Sequence, residues 1–322
     1  MIEAATEAAI DRAARTLIEG GLVAFPTETV YGLGADAAQR AAVERIYTTK
    51  GRPPGHPLIV HVPDLEHARQ WARLDARAER LVARFWPGPL SLVLPRLAEA
   101  PAWACGGQDS IGLRCPSHPV ALALLRRFVA LGGSGVAAPS ANRFGRVSPT
   151  RASHVRDDLG ADAPMVLDGG PTEVGVESTI VDLTRERPVL LRPGRIAAEA
   201  IEGVLGEPLA ARDGEAPRAS GTLAAHYQPV TPVDLVDAVA LEQHLAQRSD
   251  RGPVAVWSRE RPARAVAHWA AAPARAADFE AALYDTLRRL DAMGMSGIVI
   301  EAPAQGPEWA AVHDRLARAA HR

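Results

Sequence analysis

The sequence predicts an α/β protein in two parts, and three observations carry that expectation. Short apolar runs alternate with helical patterns along most of the chain. Those runs keep stopping in small hydroxyls, glycines or cations, the way an α/β sheet presents a binding crevice beside its strand ends. A stretch rich in Pro, Gly, Ala and Arg and poor in periodicity then precedes a last set of short strands and helices. We therefore divide the chain into residues 1–206, a linker at 207–231 and a small parallel α/β domain at 232–322. With 322 residues, 47% of them apolar, there is material for two domains and a large core.

The elements follow in order. Ile10, Ala13, Ala14, Leu17 and Ile18 recur at helical spacing, and Gly20 and Gly21 supply the stop. Residues 22–25 read as a buried strand ended by Pro26, which has no N–H for a ladder. FPTETVYGLG (25–34) then reads as a polar loop carrying Thr27, Glu28 and Thr29. A helix over 38–50 shows Val43, Ile46 and Tyr47 on one face and Lys50 in its last turn. Lys50-Gly51-Arg52-Pro53 forms a basic loop before a strand at 58–62. Strand, polar loop, helix and basic loop make one anion-binding unit.

One or two helices follow at 65–85, then strands at 90–94 and 110–114 with a loop over 97–109 between them. A helix at 120–130 leads to a strand at 136–138, which opens into a second polar loop, PSANRFGRVSPT. Strands at 166–167, 178–183 and 189–192 complete the first part. In the small domain, strands at 233–236, 254–257 and 298–300 alternate with helices near 240–248, 278–292 and 308–320.

Composition narrows the function. A net charge of −2 gives no global pull toward nucleic acid or membrane, so any basic surface is local. Cys105 and Cys115 have no CxxC or zinc spacing and fit a reduced cytoplasmic interior. The acidic, amphipathic start is unlike a signal peptide, and no apolar run is long enough to span a bilayer. A cytoplasmic protein without a membrane partner is expected.

Thr27, Arg114, Ser140 and Arg192 end or follow apolar strands, and Ser178 begins one. Taken singly, a Ser in a turn caps backbone, an Arg after a strand is solvated, and Lys50 answers the helix dipole. Arg52, held between Gly and Pro, tilts the reading toward a ligand. Together these residues outline one concave site with several cations and hydroxyls but few acids. Such a site suits a polyanion with a small polar partner. There is no GxSxG elbow, no HExxH and no metal-ligand spacing among the histidines. What remains is electrostatic catalysis on a substrate that brings its own nucleophile.

These residues resemble the threonylcarbamoyl-AMP synthase family, in its long two-domain form. The matching stretches are FPTETVYGLG, KGRPPGHPLIVH, WPGPLSLVL, SIGLRCP, APSANRFGRVSPT, GGPTEVGVESTIVDL, LLRPG and, in the linker, SGTLAAHYQP. The resemblance implies a YrdC-like twisted mixed sheet and a small Rossmann-like C-terminal domain. It implies an enzyme that condenses L-threonine, bicarbonate and ATP into threonylcarbamoyl-adenylate and pyrophosphate. A separate transferase complex then modifies the adenosine beside a tRNA anticodon. Threonine and bicarbonate form a carbamate that attacks the α-phosphate, so no activated side chain is needed.

By the same resemblance, Thr27, His61, Arg114, Ala138 and Ser178 bind threonine. Lys50, Arg52, His56, Ser110, Ser140, Asn142, Ser148, Arg192 and Tyr227 bind ATP, with Lys50, Arg52 and Arg192 catalytic. The linker becomes a lid that carries Tyr227 over the nucleotide. Mg2+ comes with the phosphates; no organic cofactor and no protein-only metal site are implied. Three departures stand out: His56 where many relatives have Asn, Phe144 where a Ser is common, and Leu223 where a Lys is usual. Two other readings compete. One is a non-catalytic module that grips tRNA or double-stranded RNA. The other is a carbamoyl-transfer enzyme of the hydrogenase-maturation kind, which would bring acylphosphatase and zinc-finger segments that are not visible here.

Overall fold

The computed structural model describes residues 1–223, 225–248 and 250–321. Ala224 of the linker motif, and Ser249 and Arg322 of the small domain, lie outside the described residues. The chain forms two compact units, Met1–Phe144 with Ser148–Thr222, and Gly145–Val147 with Leu223–Arg322. No helix among the described residues is long and apolar enough to cross a membrane.

The first unit opens with strand β1 (Ile2–Ala4) and helix α1 (Glu7–Ile18). Thr6 caps α1 by accepting from the Ala9 N–H, and Ala9, Ala13, Ala14 and Leu17 form its buried stripe. Next come β2 (Val23–Pro26), β3 (Tyr31–Asp36), α2 (Arg40–Lys50), β4 (Ile59–His61), α3 (Leu65–Ala68), α4 (Ala76–Phe85), β5 (Leu90–Pro95) and β6 (Ser110–Arg114). Then follow α5 (Pro119–Ala130), β7 (Val136–Ala137), α6 (Ala152–Leu159), β8 (Met165–Asp168), β9 (Thr179–Asp182), β10 (Val189–Arg192), α7 (Ala198–Leu205) and β11 (Ala210–Ala211).

These strands make one mixed sheet in the order β1-β8-β2-β3-β7-β4-β6-β5-β9-β10-β11. Its two faces are covered separately. Val23 and Phe25 pack with α1 and α5, including Leu124 and Phe128, whereas Ala24 joins the core under α2 and α4. A mixed sheet has no single carboxyl edge. β2 and β7 run one way, and β4, β6 and β10 run the other. Thr27 and Ser140 therefore follow strands opposite in direction to those that end in His61, Arg114 and Arg192. The expected crevice along one strand edge is replaced by a site built from both directions.

The largest correction concerns 31–34, expected within a polar loop and found in strand β3, antiparallel to β2 with Pro26 opposite Tyr31. Gly32 and Gly34 caused the misreading. Neither makes a turn: a Cβ on Gly34 would lie 2.8 Å from Phe25 and 2.9 Å from Val136, so that glycine admits close packing. α6, α7 and the short strands β1 and β11 were also not read from the sequence.

The second unit holds β12 (Val233–Val236), α8 (Leu241–Gln247), β13 (Val254–Ser258), β14 (His268–Ala271), α9 (Ala276–Asp291), β15 (Gly297–Glu301) and α10 (Ala310–Ala320). Its sheet, β12-β15-β13-β14, is parallel throughout, as the alternation of strands and helices predicts. β14, HWAA, was missed because it has no β-branched run to mark it.

Gly34→Ala is expected to cost about 1–3 kcal/mol through overpacking against Phe25 and Val136. Gly203→Ala, in α7 with nothing within 4 Å of the added carbon, is expected to gain about 0.5–1 kcal/mol. Urea unfolding midpoints of the two variants check the contrast.

Candidate active site

The β2–β3 turn begins the site. Thr27 Oγ1 donates to the Val30 carbonyl at 2.6 Å and accepts from the N–H groups of Thr29 and Val30 at 3.2 Å. Its hydroxyl thus stitches the turn and aims the next residue. That residue, Glu28, is buried; Oε1 accepts from Arg114 Nη2 at 2.7 Å and Oε2 from the Ser117 N–H at 3.0 Å. The backbone carbonyl of Glu28 also accepts from Val174 N–H at 2.8 Å. Glu28 therefore ties the turn to the end of β6 and to the segment leading into β9.

His61 pairs in register with Arg114 across β4 and β6. Its Nδ1 lies 3.2 Å from the Ile59 carbonyl, and its ring meets Phe25 edge-on at 6.3 Å. Burial, helped by the Arg114 charge, pushes its pKa down to about 3, so the imidazole is neutral at ordinary pH. Ala138 is buried beside it, its N–H donating to the Ile59 carbonyl at 3.0 Å.

Lys50 closes α2, and Gly51 terminates the helix in the left-handed region. Its ammonium is buried and donates to the carbonyls of Ser140 and Asn142. Burial, then the neighbouring Arg52 charge, drives its pKa well below the ordinary lysine value. Arg52 is buried too, with Nη2 donating to the Pro57 carbonyl at 3.1 Å and Cζ 5.7 Å from the centre of the Phe144 ring. His56 packs on the same ring, 5.6 Å between centroids. Two of the departures from the family pattern thus touch each other.

Arg192 ends β10 and grips the start of β9. Nε and Nη2 donate to the Ser178 carbonyl at 3.1 and 2.9 Å, and Nη1 reaches the Ser220 carbonyl at 2.9 Å. Ser178 Oγ lies 2.8 Å from Ser91 Oγ. A Cβ on Gly194 would sit 2.4 Å from the Thr179 nitrogen, which explains the glycine in LLRPG. Ser148 Oγ donates to Glu177 Oε1 at 2.5 Å, both residues being buried. Ser110 opens β6 and lines a small cavity with Ser91, Gly112, Ile180, Arg218 and Ser220.

Hydrogen bonds and shared strands therefore join Arg114 to His61, Lys50 to Ser140 and Asn142, and Arg192 to Ser178. Tyr227 belongs to the second unit, where its ring lies 5.5 Å from Tyr284 and 5.3 Å from the Arg315 guanidinium carbon. The expectation of few acids needs correcting: Glu28 and Glu177 are both buried within the network. A carboxylate next to a hydroxyl residue, as in TET and VES, was the available signal. Each acid is satisfied by a site partner, so neither cancels the whole cationic surface.

A mixed sheet that carries four buried cations, Lys50, Arg52, Arg114 and Arg192, beside buried hydroxyls marks an α/β protein suited to holding anions. The Sua5/YciO/YrdC family model, described as "Telomere recombination", matches residues 15–194, and the model for the threonylcarbamoyl-AMP synthase C-terminal domain matches 196–321. The chain belongs to the threonylcarbamoyl-AMP synthase family. The Bacillus subtilis threonylcarbamoyl-AMP synthase is 40% identical over 97% of this chain and 92% of its own. The Pyrococcus abyssi synthase is 45% identical over 70% of this chain and 67% of its own. A crystal structure of P. abyssi Sua5 complexed with L-threonine superposes with a TM-score of 0.91 at 36% identity, covering 99% of this chain and 96% of that one. Escherichia coli YciO matches 61% of this chain and 94% of its own with a TM-score of 0.53 at 25% identity.

Two outcomes follow. Glu28→Gln leaves Arg114 buried without its countercharge and is expected to cost about 3–5 kcal/mol in urea unfolding. His61 has a folded pKa of about 3 against 6.5 unfolded, so only the unfolded chain takes the proton between those values. Its contribution to stability is retained above pH 6.5 and lost as pH falls toward 3, by about 1.4 kcal/mol per pH unit. Unfolding midpoints at pH 7 and 5 should show a smaller acid loss in His61→Asn than in the unsubstituted protein.

Proposed function

We propose that this chain condenses L-threonine, bicarbonate and ATP into threonylcarbamoyl-adenylate, releasing pyrophosphate. The observation that carries the reading is Lys50, a buried ammonium held by two carbonyls, with no carboxylate at ion-pair distance among the described residues. A nearby anion would stabilise the charged form of such a group, and the Arg52 charge beside it adds to the demand. A triphosphate meets that demand. The threonine amine attacks the bicarbonate carbon, a C–N bond forms and water leaves. A carbamate oxygen then attacks the α-phosphorus as the bond to the pyrophosphate oxygen breaks.

The proposed roles follow the two ends of the site. Arg114, oriented by Glu28, takes the threonine carboxylate, and neutral His61 with Ala138 and Ser178 bounds that pocket. Lys50, Arg52 and Arg192 hold the phosphates, with Ser110, Ser140, Asn142 and Ser148 on the nucleotide side. Because Thr27 commits its hydroxyl to the turn, its part toward threonine is to shape the pocket wall. Magnesium would enter with ATP, held by the triphosphate oxygens. Bound to the triphosphate, it neutralises charge on the leaving group. The adenylate is passed on, in the cytoplasm, to a transferase complex that modifies tRNA.

The test is threonine-dependent pyrophosphate release from ATP in bicarbonate buffer. Absence of release would leave the RNA-gripping module as the surviving alternative, one that the net charge of −2 does not favour. Lys50→Ala should lower the rate about a hundredfold or more; near-normal turnover removes Lys50 from the catalytic set.

A further inference from the structure

We propose that Arg218, carried by the stretch after α7, is a further nucleotide-phosphate contact of this site, and that Gln108 is the positioning residue that sets it there. The inference rests on the function proposed above.

Gln108 holds one residue of that stretch by both its backbone polar groups. Its Oε1 accepts from the Arg218 N–H at 2.8 Å and its Nε2 donates to the Arg218 carbonyl at 3.2 Å. A side-chain amide used this way acts as a neighbouring strand would and fixes the residue's direction. Beyond it, the Arg218 guanidinium donates to the Gly106 carbonyl at 3.0 Å. Gly106 has a φ of 66°, and a Cβ there would strike the Gly55 carbonyl at 2.3 Å. The turn that seats Arg218 is therefore pressed against the Lys50–His61 basic loop.

The surroundings match. Burial and the charges of Arg52 and Arg218 act together to lower the pKa of His56, which places Arg218 within electrostatic reach of the phosphate-facing cations. The stretch is held on its far side by the Ser220 carbonyl accepting from Arg192. Arg218 and Ser110 line the same small cavity. No carboxylate stands at ion-pair distance from Arg218 among the described residues. Its guanidinium has only a carbonyl partner in a region already rich in cations, a placement that like charges oppose until an anion binds.

The reading is tested by varying ATP and threonine separately in the pyrophosphate-release assay. Arg218→Ala should raise the KM for ATP about tenfold, as for one lost charge-assisted phosphate contact, and leave that for threonine within about twofold. Arg218→Lys should recover part of the loss. In Gln108→Ala the KM for ATP should rise in the same direction, and trypsin should cut after Arg218 faster. In the unsubstituted protein, ATP should slow that cut. An unchanged ATP KM in Arg218→Ala, or equal rises for both substrates, overturns the assignment. Direct calorimetric titration with ATP separates the two levels of the argument. If the unsubstituted protein binds ATP but releases no pyrophosphate with threonine, the function fails, while a weaker ATP affinity of Arg218→Ala still supports the contact.

Discussion

The site depends on the burial of cations against backbone carbonyls. An ammonium taken out of water costs several kcal/mol unless dipoles or charges replace its hydration. At Lys50 the replacement is two carbonyls of the loop after β7. At Arg192 it is the carbonyls of Ser178 and Ser220. At Lys50 the carbonyls hold the ammonium in place without neutralising it. The positive charge stays available, and the depressed pKa of Lys50 records how incompletely dipoles alone stabilise it. The same bonds tie α2 to the loop after β7, and β10 to the start of β9, so the anion site also fastens the sheet connections.

Charge is distributed unevenly between the two ends of the site, and the difference fits the two substrates proposed. Arg114 is matched by Glu28, so that end carries a nearly balanced pair. A zwitterion such as threonine brings a carboxylate and an ammonium together, and a balanced pair accepts both signs. Lys50 and Arg218 have no carboxylate at ion-pair distance among the described residues. A polyphosphate carries only negative charge, and a surplus of cations accepts it. Neutral His61, lying beside Arg114, adds shape to the first end without adding charge.

Much of this was legible in the sequence because strands and cation-bearing loops announce themselves locally. The strand at 110–114 and that at 189–192 were placed to the residue, since each is a short apolar run between turn formers. Lys50 and Arg52 stood out by their spacing around Gly51. Strand β3 was not legible, because its glycines look like a turn unless Phe25 and Val136 are known to press on them. The mixed strand directions were equally hidden, since no local pattern records which way a neighbour runs. Glu28 read as one polar residue among three; only the fold shows that Arg114, 86 positions away, is its partner. Arg218 falls in a stretch without periodicity, and its placement comes from Gln108, 110 positions earlier.

The departures at His56 and Phe144 become one change once their contact is known. An Asn and a Ser at these positions would offer polar atoms to the basic loop that carries Arg52. Here two rings meet edge to face at 5.6 Å, and the Arg52 guanidinium lies over the Phe144 ring. A cation over an aromatic face gains about 0.5–2 kcal/mol and is excluded from water on that side. The Phe144 ring thereby covers one side of the Arg52 guanidinium, whose Nη2 donates to the Pro57 carbonyl at 3.1 Å. The aromatic pair thus replaces polar atoms with an apolar wall beside the arginine, and a change of either ring alone would break the contact that both share.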